Sequence, residues 1–397
     1  MSGNGRIIYI AGAGIAGLTL ALALGKFGAR VVVLERQPAV QEFGAGLQIS
    51  ANARKVLDRL GLDEALNERA FAPEGIDVYP LGARRPLVTL ELGERIATRF
   101  GAPYAVMHRA DLADMLHRAT KRFANIDVLF NVRGHDVVSH EAGVSVVVDE
   151  ADGKTRTARA FAFIGADGVR SRTRREVMMG PEAISAGRVA WRALLPIDAL
   201  DGVVARDRTS LLWAPGLHAV IYPLPARGQL NVVMFSSFDE AYSLSESALH
   251  QPELPRRVAQ DRRFAAILAA VGRDWTFWPL AKVETPSWHQ GGIGLIGDAA
   301  HAMLPFQAQG AAMGIEDAAV LAPLLMRSET AEAVLARYEE LRRPRVERVQ
   351  QLSQRNGFAF HADWPVSMAR DLVVRAQGPR GHFERLAWIY GYDAAET

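Results

Sequence analysis

The chain has no cysteine among its 397 residues. Disulfides, thiolate metal sites and cysteine nucleophiles are therefore excluded together, and no metal centre is expected. Long apolar runs are missing as well: nothing approaches the roughly 20 residues a membrane helix needs. The polar start Met1–Gly5, with the short apolar Ile7–Ala11 behind it, is too brief for a secretory leader. Charge of one sign is equally scarce. The 46 basic and 44 acidic side chains leave a formal charge of +2, without the clustered basic face that nucleic acid demands. The basic clusters Arg170 to Arg175 and Arg342 to Arg345 read as solvated helix surfaces. No internal repeat or low-complexity segment is visible. These absences point to a soluble cytoplasmic protein with no nucleic-acid or membrane partner.

What is present is an ordinary globular mixture, 49% hydrophobic and 23% charged. The length exceeds the roughly 250–300 residues at which one core usually stops growing, so two packed units are expected. The run Ile7-Ile8-Tyr9-Ile10-Ala11 reads as a buried strand. A helix follows with Ile15, Leu18 and Leu22 at three- and four-residue steps, Gly28 ends it, and Val31 to Leu34 is a second strand. This βαβ opening predicts a parallel sheet. Arg54 to Leu66 and Asp111 to Phe123 read as amphipathic helices, and Val144–Val148 and Phe161–Ile164 as strands. From about Arg188 to Phe235 the pattern turns strand-rich: Val189–Leu195, Thr209–Trp213, Ala219–Tyr222 and Leu230–Phe235, separated by Pro/Gly turns. Ile293–Ile296 returns to the buried parallel style, and the chain from Ala331 onward is helical and charged. The expected fold is α/β: a Rossmann-like domain (1–72, 101–180 and 281–330) with a β-rich domain (73–100 and 181–280) inserted, and C-terminal helices (331–397). A ligand site is expected at the joint.

Gly12-Ala13-Gly14-Ile15-Ala16-Gly17 fits G-x-G-x-x-G between the first strand and its helix. Gly12 makes the tight turn, Gly14 lets backbone approach a pyrophosphate, and Gly17, with Ala16 beside it, packs helix on strand. The helix amino terminus then faces the phosphates with unpaired N–H groups. Glu35, at the end of the second strand, is placed to accept hydrogen bonds from ribose hydroxyls, each charged bond worth roughly 1.5–3 kcal/mol. The fingerprint does not distinguish NAD from FAD.

Three further segments decide. Gly165-Ala166-Asp167-Gly168-Val169-Arg170-Ser171 follows a strand; Gly297-Asp298 opens a run through Pro305 and Gln309-Gly310-Ala311 to Asp317; and His108-Arg109-Ala110-Asp111-Leu112 begins a helix. With these the sequence resembles, over essentially its whole length, the single-component FAD-dependent aromatic hydroxylases, the flavoprotein monooxygenases that include salicylate and hydroxybenzoate hydroxylases. The resemblance implies that the one dinucleotide fingerprint holds FAD. It implies Asp167 at the flavin and the nicotinamide encounter, Asp298 on the ribityl chain, Arg109 on the pyrophosphate and Arg36 on the adenosine part. It also implies Pro305 beside the flavin ring, and Gln309, Gly310 and Ala311 at a helix start that stabilises negative charge on the reduced flavin. His301 in this motif reads as structural.

NAD(P)H, lacking a fingerprint of its own, is then a transient co-substrate. Dioxygen reacts with reduced flavin, and a flavin hydroperoxide passes oxygen to an electron-rich ring. His218 and Tyr222 stand four apart on a presumed strand, hence on one face. The same spacing resembles a pair in hydroxylases of pyridine carboxylates such as 6-hydroxynicotinate. Those enzymes carry a further histidine after the early flavin loop, where this chain has Gly44-Ala45-Gly46-Leu47 followed by Gln48. His218 fits a base for a ring hydroxyl or a histidine satisfied within a sheet. Trp191, Trp213, Phe235 and Trp278 read as core. The expected activity is hydroxylation of a small (hydroxy)aromatic or heteroaromatic carboxylate, by a monomer or a homodimer. A flavin reductase or dehydrogenase, an alkene epoxidase and a flavin-binding sensor fit the same fold.

Overall fold

The computed structural model of the protein describes residues 5–40, 46–150, 153–238 and 251–396. The Gly44-Ala45 pair lies outside them. Five short strands form a parallel sheet in the order Ile293–Leu295, Ala162–Gly165, Ile7–Ala11, Arg30–Leu34 and Ile126–Leu129, with His289–Gln290 antiparallel at one edge. Ile7–Ala11 is central, pairing with Arg30–Leu34 on one side and Ala162–Gly165 on the other. A strand buried on both faces needs a continuous apolar run, and Ile8, Tyr9, Ile10 and Ala11 supply it. The helix Ile15–Lys26 is apolar almost all round because it is wedged against the helices Arg109–Thr120 and Gly310–Leu325.

The second layer is a seven-stranded sheet in the order Thr276–Lys282, Ile184–Pro196, Gln229–Ser237, Leu217–Leu224, Thr209–Ala214, Gly75–Pro80 and Val88–Glu91. Alternation along these strands sends two sets of side chains to opposite faces. Trp191, Ala193, Ala219, Ile221, Val232 and Met234 pack with Phe264 and Ile267 of the helix Arg262–Val271. The intervening residues, among them His218, Tyr222 and Asn231, face the parallel-sheet domain. The long helix Ala331–Phe360 and the helical segment Val366–Tyr390, broken at Gly378 where φ is +57°, complete the fold. Among the described residues no helix is long and apolar enough to cross a membrane, and no group of three or more potential ligands could hold a metal.

Three expectations are corrected. The helix expected over Arg54 to Leu66 is two, Ala51–Arg59 and Asp63–Arg69, because Gly61 at φ +82° turns the chain between them. Trp278 is 38% exposed rather than core, lying under the Arg192 guanidinium. The basic clusters are not simply solvated: Arg174 and Arg342 are both fully buried. Arg174 donates to the carbonyls of Val169, Pro181 and Ala299. Arg342 pairs with Glu316 at 2.7 Å and Asp317 at 2.8 Å. Five fixed donors on a planar guanidinium make such burial possible when every direction meets an acceptor.

Candidate active site

The nucleotide end is built on steric necessity. Gly12 sits at φ +102°, and a Cβ there would lie 2.5 Å from the carbonyl oxygen of Ala166 on the neighbouring strand's loop. A Cβ on Gly17 would collide with the Gly12 carbonyl oxygen. The helix Ile15–Lys26 has Gly14 as its N-cap, no side-chain cap and no acidic residue in its first turn. Its amino-terminal N–H groups are thus left for an anion. Glu35 accepts the backbone N–H groups of Ala13 at 2.9 Å and Gln37 at 2.8 Å, so its carboxylate braces the glycine turn. Arg36 beside it is exposed.

Ala16 lies where three segments meet: an ideal Cβ on Gly297 would be 3.1 Å, and one on Gly314 3.0 Å, from its methyl group. The small residues let Gly297-Asp298 and the helix Gly310–Leu325 close onto the first helix. Asp298 is exposed at the start of the short helix Asp298–His301. Gly310 opens the helix Gly310–Leu325, again with no side-chain cap and no acid in the first turn, and Ala311 follows half-buried. Two uncapped helix starts, a cradle only glycine permits and an exposed carboxylate at the third corner fit a dinucleotide whose phosphates need N–H donors and whose hydroxylated chain needs an acceptor.

Other expected ligands serve the frame through their side chains. Asp167 accepts from the Ser171 hydroxyl at 2.6 Å, the Thr173 N–H at 2.9 Å and the Thr173 hydroxyl at 3.1 Å, capping the short helical turn Thr173–Val177. Gln309 donates to Ser50 at 2.9 Å and accepts from Asn52 at 3.0 Å; Asn52 in turn donates to Glu316 at 2.7 Å. His301 donates to Asp317 at 2.6 Å, and the same Asp317 oxygen accepts the Gly297 N–H at 2.9 Å. Burial alone would raise the Asp317 carboxyl, but His301 and Arg342 beside it outweigh that and hold it well below the usual carboxylate range. His301 is therefore structural, as the motif implies.

On the sheet face toward these loops, the strand register sets three rows. Ala190, Phe235, His218 and Trp213 form one; Arg192, Val233 and Val220 the next; Leu194, Asn231 and Tyr222 the third. At the Tyr222 end the phenol oxygen would be 2.5 Å from a Cβ on Gly46, and the Gly46 N–H donates to Asn231 at 2.9 Å. Tyr104 donates a short hydrogen bond to Gln48 on the same early strand. At the His218 end the imidazole stacks on Phe235, centroids 4.7 Å apart, and meets the edge of Phe306 at 5.1 Å. Phe306 directly follows Pro305, which starts the single turn Pro305–Gln307. His218 and Tyr222 therefore share a face, as the spacing implies, and that face runs from the strand Gly46–Ile49 to the turn Pro305–Gln307. Burial pushes the Tyr222 phenol up and holds it protonated, although Arg192 and Arg109 pull the other way. Burial, then His361 and Arg188, push His218 well below the usual histidine range. Arg109, half-buried at the first position of the helix Arg109–Thr120, also lies close enough to act on Arg192.

Sequence reasoning missed three groups of contributors. Arg192 is the one charge among A-W-R-A-L-L, a visible break in an apolar strand; burial, then Arg109, push it down to about 10. His361 bonds to His218 across 143 residues of chain, with no local signal. The helix Ala331–Phe360 holds the Pro305 segment by its backbone: Gln350 donates to His301, Ser353 to Leu304 and Asn356 to Phe306. Their three-residue spacing puts all three on one helix face, which a polar stripe in the sequence could have suggested.

A family model described as an FAD binding domain matches residues 6–353. The 3-hydroxybenzoate 6-hydroxylase 1 of Aquipseudomonas alcaligenes is 30% identical over 392 residues, covering 98% of each chain. The 6-hydroxynicotinate 3-monooxygenase of Pseudomonas fluorescens is 31% identical over 367 residues, 90% of this chain and 92% of that protein. Among solved structures, a Klebsiella pneumoniae HpxO variant complexed with FAD superposes with a TM-score of 0.82 at 20% identity, covering 97% of this chain and 98% of that one.

Proposed function

The chain belongs to the FAD-dependent aromatic hydroxylase family of flavoprotein monooxygenases, and we propose that it hydroxylates a small aromatic or heteroaromatic ring bearing a hydroxyl and a carboxylate, with NAD(P)H and dioxygen as co-substrates. The observation that carries this is the shared face of His218 and Tyr222 between the strand Gly46–Ile49 and the turn Pro305–Gln307. Both relatives above are named for a ring that carries those two groups.

FAD, when bound, supplies the hydride acceptor and the activation of dioxygen. The glycine turn, the two uncapped helix starts and Asp298 would hold its phosphates and ribityl chain. The protein's own chemistry is then positional and protonic. A ring hydroxyl donates electron density best when ionised, so a base beside it accelerates transfer. His218, kept neutral by its surroundings, has a lone pair for that proton. Tyr222, kept protonated, donates a hydrogen bond. The Arg192 cation is placed to favour an anionic substrate. Phe235, Phe306 and Val220 exclude water from the same space.

The test is a screen of hydroxylated benzoates and pyridine carboxylates for stimulated NAD(P)H oxidation, with product identified by mass. His218→Gln should keep FAD yet slow hydroxylation by about ten-fold to 10⁴-fold and divert more reduced flavin to hydrogen peroxide. An unchanged rate and an unchanged ratio of product to NAD(P)H in this variant would return His218 to a packing role.

A further inference from the structure

We propose that two copies of this chain dock through the outer face of the helical stretch 366–377, forming a two-fold symmetric dimer. The stretch is seated by its inner face. Val374 packs in the cluster of Val78, Val88 and Trp213, and the Arg370 guanidinium lies 4.5 Å from the centroid of the Trp213 ring. Arg370 also donates to the Ala359 carbonyl at 2.8 Å. On a helix seated this way the opposite side is normally polar. Here Met368, Ala369, Leu372, Val373 and Ala376 follow one another at helical spacing, and all five are exposed. Phe358 and Trp364 add two exposed rings at the turn leading into the stretch. A helix that is apolar on both sides belongs between two packed surfaces, and among the described residues only the inner one is supplied.

The exposed area matches what a second copy needs. Trp364 is 75% exposed, Phe358 71%, Leu372 69% and Met368 63%, with Val366 and Val373 near half. At about 100–250 Å² for a fully exposed large side chain, these six present on the order of 600 Å² of apolar surface. That is the upper end of the roughly 300–600 Å² found in the largest patch of a monomer. A standard interface buries about 800 Å² on each side, and in homodimers about 65% of it, roughly 520 Å², is apolar. The stripe is also self-complementary. Antiparallel copies turned about a two-fold at the level of Arg370 set Met368 against Leu372 of the other copy. The same turn brings Arg375 within reach of the other copy's Asp363, and both are exposed. A lipid surface fits less well, because Asp363, Asp371 and Arg375 rim the stripe with both signs of charge instead of the basic belt of a membrane-surface helix.

The experiment is sedimentation velocity with light scattering on the FAD-loaded full chain. Interfaces of this size bind in the micromolar range or tighter, so the wild type should be a dimer at about 50 µM. Met368→Glu combined with Leu372→Glu places like charges opposite one another across the two-fold and should weaken association by at least about 100-fold. Both side chains are exposed, so flavin content and thermal unfolding of the separated chains should match the wild type. Phe27→Glu changes an exposed apolar residue just past the helix Ile15–Lys26 and should leave the dimer intact. A wild type that stays monomeric at that concentration would overturn the proposal, as would a dimer that survives the double substitution. A monomer that instead co-sediments with phosphatidylcholine–phosphatidylserine vesicles would give the face to a membrane and overturn it equally.

Discussion

Gly357 offers a sharp test of how the C-terminal helix supports the active-site loop. It lies inside the helix Ala331–Phe360, and a Cβ there would sit 2.6 Å from the Phe306 ring. Reaching the 3.4 Å of an ordinary contact requires the ring to retreat by about 0.8 Å. Two effects oppose one another in Gly357→Ala. Helix propensity favours alanine by roughly 0.8–1.0 kcal/mol. Overpacking a buried contact costs typically about 1–3 kcal/mol. The expected net change is between about zero and 2 kcal/mol of destabilisation. The functional effect should be larger, because Phe306 adjoins Pro305 and touches both His218 and His361. A displacement near 1 Å at a reacting centre can cost about 10²-fold in rate. Urea unfolding of the FAD-loaded protein and the ratio of product to NAD(P)H consumed read the two effects separately. In a double-mutant cycle, Phe306→Leu should remove the stability penalty of the added methyl group. If Gly357→Ala instead gains the full helix-propensity increment and keeps wild-type coupling, the close approach of ring and helix is not a constraint and the reasoning fails.

Gly12→Ala combines a positive φ with a clash against the Ala166 carbonyl, so the purified variant should carry little or no FAD; full occupancy by flavin absorbance would contradict the cradle. The His218–His361 pair predicts a pH dependence of stability. Both rings are neutral in the folded protein, His361 down to about 4 and His218 likewise well below the usual range, whereas the unfolded chain takes up protons below about 6.5. Their contribution is therefore intact above about pH 6.5 and is lost as pH falls toward 4, by about 1.4 kcal/mol per pH unit for each proton taken up. Urea midpoints across that range should fall less steeply in His361→Gln than in the wild type, and identical slopes would count against a neutral pair.

The parts of this architecture that a reader of the sequence can see are those set by neighbours along the chain. Ile7–Ala11, the glycine turn and Ile15–Lys26 appear where expected because a buried strand, a turn open only to glycine and a helical period are local properties. The common face of His218 and Tyr222 follows from the two-residue period of a strand. Asp167 was expected at the flavin, yet its carboxylate is spent on Ser171 and Thr173, and that capping pattern was present in the sequence four and six positions on. The buried pairing of Arg342 and Arg345 with Glu316 was not legible. A charged run looks solvated until its partners are known, and these lie on a different helix. His361 and Gly357 are similar: their importance depends on Phe306 and His218, which only tertiary packing brings near.

The strand order has a consequence for biosynthesis. The glycine turn precedes most of its neighbours in the chain, but the strand before it is flanked by Arg30–Leu34 and by Ala162–Gly165, itself paired with Ile293–Leu295. The loop that faces His218 is then fastened by Gln350, Ser353 and Asn356, which are translated later still. A nascent chain therefore possesses the phosphate-binding turn long before it possesses a complete cofactor site. On refolding, the rate of flavin uptake should therefore follow docking of the helix Ala331–Phe360 rather than formation of the glycine turn.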